Sequence, residues 1–177
     1  LLFPLSILAA GSTLRAVEKP RLIVLTDMGA DPDDQQSLVR LLLYANQIDI
    51  EGLVATTSCW QQHAIRPDFI AKILDAYEKV QPNLLQHEAG YPTAGALRAV
   101  MKSGLPRYGM TGVGEGLDSA GSDWIIQRLD QDDPRPLWIS VWGGANTLAQ
   151  ALHKLRATRP AAEVDRLVAK LRVYTIS

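Results

Sequence analysis

Cysteine is nearly absent from this sequence, in which Cys59 is the only one among 177 residues. A single thiol excludes an intrachain disulfide and a zinc site built from cysteines. His63 follows four residues later, so a Cys/His nucleophile pair is one interpretation and a small core residue is the other. The second is the commoner role of a lone cysteine, and we assign no chemistry to Cys59.

An excess of either charge is also lacking, since 18 basic and 19 acidic residues give a net charge of -1. Without a basic block the chain has no electrostatic footprint for nucleic acid. The apolar residues 1–16 are too few to span a bilayer, so no membrane partner is predicted. A neutral small molecule, such as a sugar or nucleoside, is compatible with this composition.

Residues 1–16, LLFPLSILAAGSTLRA, are apolar, rich in small residues and free of acids. They resemble the back half of a secretory signal peptide, with cleavage near Ala10 or Ala16 and without a starting Met or basic region. A buried first strand or helix is the alternative. The change of composition at VEKPR favours the signal, so we expect a secreted or periplasmic protein whose domain covers residues 21–177.

Short apolar runs alternate with amphipathic segments along the rest of the chain. The predicted strands are residues 21–26, 49–58, 135–144 and 172–177. The predicted helices are residues 33–46, 66–80, 94–104, 122–131 (capped by Ser122), 146–157 and 161–171. This alternation predicts an α/β fold with a mostly parallel sheet flanked by helices. Ligands of such sheets bind where strands end, at loops 27–34, 58–63 and 143–146 here.

Four acids crowd into eight positions after the first predicted strand: Asp27, Asp31, Asp33 and Asp34. Asp31 is a candidate N-cap with Pro32 as the first helical residue, and Asp33 and Asp34 then lie in the first turn, where the helix dipole favours negative charge. That interpretation needs no ligand but leaves Asp27 unexplained. A Ca²⁺ or Mg²⁺ ion would explain Asp27, Asp33 and Asp34 together. The residues alone leave both interpretations open.

Three motifs carry a resemblance to a known family: VLTDMGADPDDQQSLVRLL from Val24, IEGLVATTS from Ile50 and VWGGANTLAQAL from Val141. Together they resemble the nucleoside hydrolase superfamily. They look closest to its secreted nucleoside hydrolase-like branch, some members of which are labelled cellulose-binding proteins. The similarity runs from Arg21 to the end of the chain. It implies a Rossmann-like nucleoside hydrolase core and a Ca²⁺ ion in the acidic loop.

The resemblance also implies roles for individual residues. Asp27 would bind the metal and act as base toward the attacking water, and Asp34 would be the bidentate metal ligand. Asp33 would face the ribose hydroxyls, and Asn146 in the turn GGANTLA would give the metal its backbone carbonyl. Cleavage of an N-glycosidic bond passes through an oxocarbenium-like sugar, so activated water and an oriented ribose suit the reaction.

Other positions match the family less closely. Two residues more than usual separate Asp27 from the acid pair, and Gln61 stands nearest to the place of an Asn that contacts the sugar. Trp60 is a candidate for stacking on a sugar or base, with core packing as the alternative. Glu115, in the glycine-rich stretch YGMTGVGEG, either reaches the substrate or lies in a surface loop.

The family's further metal-binding Asp and leaving-group His come from beyond the matching region, and the histidines here are not at that place: His63, His87 and His153. We therefore expect this chain to be a fragment with part of a site. One hypothesis is a Ca²⁺-dependent hydrolase of N-glycosidic bonds in a ribonucleoside or related glycoside. The alternative is a noncatalytic carbohydrate (cellulose)-binding module on the same fold, with polysaccharide as its partner. Relatives form dimers or tetramers, which makes a homo-oligomer an expectation.

Overall fold

The computed structural model of the chain describes residues 18–176. Its strands are β1 Arg21–Thr26, β2 Asp49–Ala55, β3 Met101–Ser103, β4 Leu137–Val141 and β5 Leu171–Thr175. Its α-helices are α1 Asp33–Leu42, α2 Pro67–His87, α3 Ala94–Ala99, α4 Ala120–Leu129, α5 Asn146–Thr158 and α6 Ala161–Val168. A short 3₁₀ segment, Gly109–Gly112, precedes α4.

All the paired strands run parallel, in the order β3-β2-β1-β4-β5. This confirms the predicted α/β fold, and the order is that of a Rossmann-like sheet. The chain builds outward from β1 to β3 on one side and then returns to add β4 and β5 on the other. The strand order thus reverses between β1 and β4, where α/β sheets characteristically form a ligand-binding crevice beyond the strand ends.

Helices cover both faces of the sheet, and successive β1 side chains alternate between the two cores because a strand has a period of two. Ile23 and Leu25 pack in one core with α4, α5 and α6. Val24 packs in the other core with α1, α2 and α3. All three β1 side chains are fully buried, so β1 is fixed on both sides and its end is a rigid base for the loop that follows.

Helices α1 and α6 end three to four residues before their predicted ends, at Leu42 and Val168, and two elements differ more from the sequence-based prediction. The helix predicted over residues 94–104 ends at Ala99, and Met101–Ser103 instead pair with β2 as an edge strand. That strand has three half-buried residues, too few for a readable alternation. Helix α2 was predicted to end at Val80 but continues past Pro82 to His87. Leu84, beyond the proline, packs against the core under α2, which favours the longer helix.

The predicted caps of two helices are wrong by one to three positions. Pro32, and not Asp31, is the N-cap residue of α1, and no side chain caps it. The Asp34 N–H instead donates to the neighbouring Asp33 carboxylate at 2.8 Å. In α4 the N-cap is Ser119, whose hydroxyl accepts the Ser122 N–H at 3.1 Å. Ser122 thus closes a capping box from inside the helix instead of starting it.

The predicted signal-peptide remnant, residues 1–16, lies outside the described residues, so export stays a prediction. Within residues 18–176, no helix combines the length and apolarity needed to cross a bilayer.

Candidate functional site

A cavity of about 610 Å³ lies beyond the carboxyl end of the sheet, a volume typical of small-molecule sites. Side chains that follow all five strands line it. They include the four acids after β1, Trp60 after β2, Tyr108 and Met110 after β3, Asn146 after β4, and Ile176 after β5. We call this cavity the acidic crevice. It lies where the strand order reverses, as the fold predicts.

Two of the acids in the acidic crevice are buried. Asp34 is 5% exposed and accepts a hydrogen bond from the Thr26 hydroxyl. Burial raises the pKa of Asp34 to about 7, and the charges of Asp27 and Asp33 act in the same direction. Asp27 is 8% exposed, and within residues 18–176 no N–H or hydroxyl group donates to its carboxylate. Asp34 therefore has the Thr26 hydroxyl as a donor, whereas Asp27 faces the Asp34 carboxyl group and no cation of the described chain.

The other two acids, Asp31 and Asp33, are exposed at the mouth of the crevice. A hydrogen bond with the Asp33 carboxyl is the main cause that raises the pKa of Asp31, and repulsion between the two adds to it. Along the described chain, no Lys or Arg forms an ion pair with any of the four acids. The negative charge of the crevice is therefore uncompensated by protein.

Two glycines bring the turn after β4 against the acids. A Cβ on Gly143 would lie 2.8 Å from both the Cβ and the backbone nitrogen of Asp27. A Cβ on Gly144 would lie 2.5 Å from the carbonyl oxygen of Thr57. Both distances are far below van der Waals contact, so only glycine lets the ends of β1, β2 and β4 come together here.

Asn146 begins α5 and is buried beneath this turn. Its Oδ1 accepts hydrogen bonds from the hydroxyls of Thr56 and Thr57, each at 3.2 Å. Its Nδ2 donates to the carbonyl oxygen of Arg107 at 3.0 Å. The side chain thus ties β2, α5 and the segment before Tyr108 together, which fixes that wall of the crevice. The predicted metal role concerned its backbone carbonyl and stays a prediction.

The structure brings most of the predicted site residues to the crevice and places two of them elsewhere. Asp27, Asp33, Asp34, Asn146 and Trp60 all line it, and Trp60 is 82% exposed at the rim.

Gln61 does not line the crevice, and its Nε2 donates to the backbone carbonyl of Asp27 at 3.3 Å, so it positions the acid loop. Glu115 is exposed and lies outside the crevice lining. The Gln150 side chain holds its loop through both the N–H and the carbonyl of Gly114. The substrate contacts predicted for Gln61 and Glu115 remain untested.

Sequence reasoning singled out the glycine-rich stretch YGMTGVGEG but chose Glu115 in it, whereas Tyr108 and Met110 are its residues that line the crevice. The paired threonines in ATTS were the available signal for the Asn146 network, because two hydroxyls at a strand end need buried partners.

The oxygen atoms that line the crevice are of the kind that a hard cation such as Ca²⁺ binds. Within residues 18–176 no three His, Cys, Asp or Glu side chains form a metal-binding group. Asp27 and Asp34 are nevertheless two buried carboxyl groups with which no Lys or Arg of the described chain forms an ion pair. A Ca²⁺ ion prefers oxygen ligands and accepts neutral ones beside carboxylates. The two carboxyl groups are therefore of the ligand type that such an ion binds.

The sequence profile of one family, described as "Cellulose-binding Sde182, nucleoside hydrolase-like domain", matches residues 21–177. A solved structure from Saccharophagus degradans is 49% identical, with a TM-score of 0.87 over 89% of this chain. It is described as a nucleoside hydrolase-related hypothetical protein that is associated with carbohydrate metabolism. This chain spans 38% of the length of that protein. No curated protein shows significant similarity to the chain.

Proposed function

The chain belongs to the family of cellulose-binding Sde182, nucleoside hydrolase-like domains, and from that premise we propose that its acidic crevice binds a carbohydrate together with a Ca²⁺ ion. One observation carries the proposal. Asp27 and Asp34 are buried, face each other and have no cationic partner in the described chain. Such an arrangement costs folding free energy, and a bound cation offsets that cost.

The remaining lining residues supply contacts suited to a sugar. Asp33 is exposed at the crevice, where its carboxylate accepts hydrogen bonds from hydroxyl groups. Trp60 offers an exposed aromatic face to the apolar side of a sugar ring. The ion would be held by Asp27, Asp34 and the carbonyl of Asn146. When bound, it orients hydroxyls and lowers the pKa of a coordinated water.

Hydrolysis of an N-glycosidic bond is the second candidate function, and the position of the Asp27 carboxyl group in the crevice favours it. Asp27 lines the crevice with its carboxyl group beside that of Asp34, a position from which a carboxylate can act as base toward a water molecule. The leaving group needs a proton donor as well. The histidines of the chain do not line the crevice, so within the described residues none is in place for that step.

A titration of cellohexaose into the full chain tests carbohydrate binding, first with Ca²⁺ and then with a chelator. We expect binding that the chelator abolishes and that Asp27→Asn and Asp34→Asn each weaken at least tenfold. Asp68→Asn is the matched control, because Asp68 is exposed, pairs with Arg66 and lies outside the crevice. Binding that survives the chelator and both crevice variants would contradict the proposal.

Release of p-nitrophenol from p-nitrophenyl β-ribofuranoside separates the two candidates. Chelator-sensitive release that Asp27→Asn abolishes would support hydrolysis. Carbohydrate binding without release would leave this chain as a binding domain and exclude nucleosidase activity of the chain by itself.

A further inference from the structure

Thr26, the last residue of β1, is buried and contacts the first turn of α1. Because strand side chains alternate, it points to the same side of the sheet as Val24, which packs in the core under α1. The buried residues of α1 are Asp34, Leu38 and Leu42, which are spaced four apart and therefore lie on one face. Asp34 thus occupies the crevice end of the face that packs against the sheet, where it meets Thr26.

The Thr26 hydroxyl makes two hydrogen bonds, and each one fixes a different part of the acidic crevice. It donates to Oδ2 of Asp34, and it accepts the Met28 N–H at 3.2 Å. Asp27 lies between Thr26 and Met28 in the chain, so the second bond closes the backbone turn around Asp27. One buried hydroxyl therefore holds both the side chain of Asp34 and the backbone that carries Asp27.

Packing alone does not require a hydroxyl and a carboxyl group at this place. Apolar residues of the same shape can replace a buried hydrogen-bonded pair at little or no cost in stability. Leu38 and Leu42 continue the face of Asp34 with apolar side chains, so the pattern of α1 favours an apolar residue at position 34. A metal site does require such a pair, because carboxylates that bind an ion are oriented by hydrogen bonds from neighbouring groups.

We propose that Thr26 is a positioning residue for the cation, whose hydroxyl holds Asp27 and Asp34 in place so that both bind one Ca²⁺ ion. This proposal rests on the Ca²⁺ site proposed above and adds to it a residue that does not line the crevice. It predicts that Ca²⁺ affinity depends on the hydroxyl oxygen of residue 26. A purely structural bond would change the stability of the protein and leave the Ca²⁺ affinity of the folded protein unchanged.

The test is calorimetric titration of Ca²⁺ into wild type, Thr26→Ser and Thr26→Ala, because the two variants differ only in the hydroxyl oxygen. We expect Thr26→Ser to bind Ca²⁺ about as tightly as wild type. Thr26→Ala should bind it roughly 10- to 100-fold more weakly, the usual loss when a group that orients a metal ligand is removed. Thermal unfolding gives an independent readout, because at a fixed Ca²⁺ concentration a weaker site produces a smaller rise in Tm over the value in a chelator.

Thr93→Ala is the matched control. The Thr93 hydroxyl accepts the Ala96 N–H at 3.1 Å in the cap of α3, outside the crevice. Its removal should lower the stability of the protein without changing its Ca²⁺ affinity.

Equal Ca²⁺ affinity of Thr26→Ser and Thr26→Ala, with binding by wild type, would overturn the role of Thr26 and leave the cation site in place. Absence of Ca²⁺ binding by wild type would overturn the cation site and this inference together. A loss of affinity in Thr93→Ala as large as that in Thr26→Ala would also contradict the role of Thr26, because loss of a distant hydrogen bond would then weaken the site equally.

Discussion

Charged side chains cluster at both ends of the sheet, but only those at the amino end are paired. There Arg21, fully buried, donates from Nε and Nη2 to the Glu51 carboxylate at 2.6 and 2.9 Å. Arg135 bridges Asp49 at 2.6 Å and Asp133 at 2.7 Å. At the carboxyl end, none of the four acids in the crevice has a cationic partner in the described chain.

The pKa values follow the same division. Hydrogen bonds from the Arg135 guanidinium are the main cause that lowers the pKa of Asp133 to about 2, whereas burial raises that of Asp34 to about 7. The first carboxylate stabilises the fold and the second destabilises it. Charges that oppose folding are expected at ligand sites, where binding compensates for them. The comparison therefore indicates a stabilising role for the amino-end pairs and supports the proposed ligand site at the carboxyl end.

Removing a charge at the amino end should give the largest effect. Arg21→Met leaves the Glu51 carboxylate and the carbonyl of Arg128 without their donor. We expect a loss of roughly 3 to 5 kcal/mol of unfolding free energy, measured by urea denaturation. Arg40→Met is the control, since Arg40 is exposed, and it should change little. Equal stability of the two variants would contradict the claim that the charged network at the amino end stabilises the fold.

Removing a charge in the acidic crevice should instead raise the free energy of unfolding. Asp34→Asn removes a buried carboxylate that repels Asp27 and Asp33, and the amide oxygen can still accept from Thr26. At pH 8 with a chelator we expect a gain on the order of 2 kcal/mol in unfolding free energy. Asp133→Asn, measured in parallel, should be less stable than wild type. A destabilised Asp34→Asn protein would refute the assignment.

Packing at the end of β1 gives a third test. Gly143→Ala places a methyl group on Asp27, and we expect a loss of about 1 to 3 kcal/mol together with weaker Ca²⁺ binding. Gly95→Ala is the control, because its Cβ would meet only the Thr93 hydroxyl, at 3.8 Å. Inside helix α3 that change should stabilise by about 0.5 to 1 kcal/mol. The same change in stability for both variants would mean that the turn at Gly143 can accommodate a methyl group and does not require glycine.

The two ends should also respond to pH in opposite directions. Asp34 binds a proton in the folded state over the window from its ordinary pKa of 3.8 up to about 7. Stability of the metal-free protein should therefore rise as pH falls through this window, by at most about 1.4 kcal/mol per pH unit.

Below pH 4 the sign reverses, because Asp133 keeps its charge in the folded state down to about pH 2 and its stabilising contribution is then lost. Thermal unfolding across pH 3 to 8 in a chelator measures both. A profile that rises steadily with pH, unchanged in Asp34→Asn, would contradict the role of Asp34.

The fold was predictable where local pattern decides structure. Strands with an apolar centre such as β1 and amphipathic helices such as α5 were placed to within a residue or two. The three-residue strand β3 was not, because its identity depends on pairing with β2, about fifty residues earlier. Helix α2 continues through Pro82 because tertiary packing of Leu84 outweighs a local signal.

In the candidate site, too, some residues could be predicted from the sequence and others could not. Asp27, Trp60 and Asn146 were predictable because each follows a strand, and parallel strands end at one edge. The bond from Gln61 to the Asp27 carbonyl depends on loop geometry that no motif encodes. The network at the amino end joins Arg21 to residues 30 to 114 positions away, so these contacts could not be predicted from the local sequence.

The most direct measurement is calorimetric titration of Ca²⁺ into wild-type, Asp34→Asn and Asp133→Asn proteins at pH 7.5. The account predicts binding by wild type and by Asp133→Asn and no binding by Asp34→Asn, which is also expected to be the most stable of the three without metal. No Ca²⁺ binding by wild type, or undiminished binding by Asp34→Asn, would contradict the claim that the unpaired acids form a cation site.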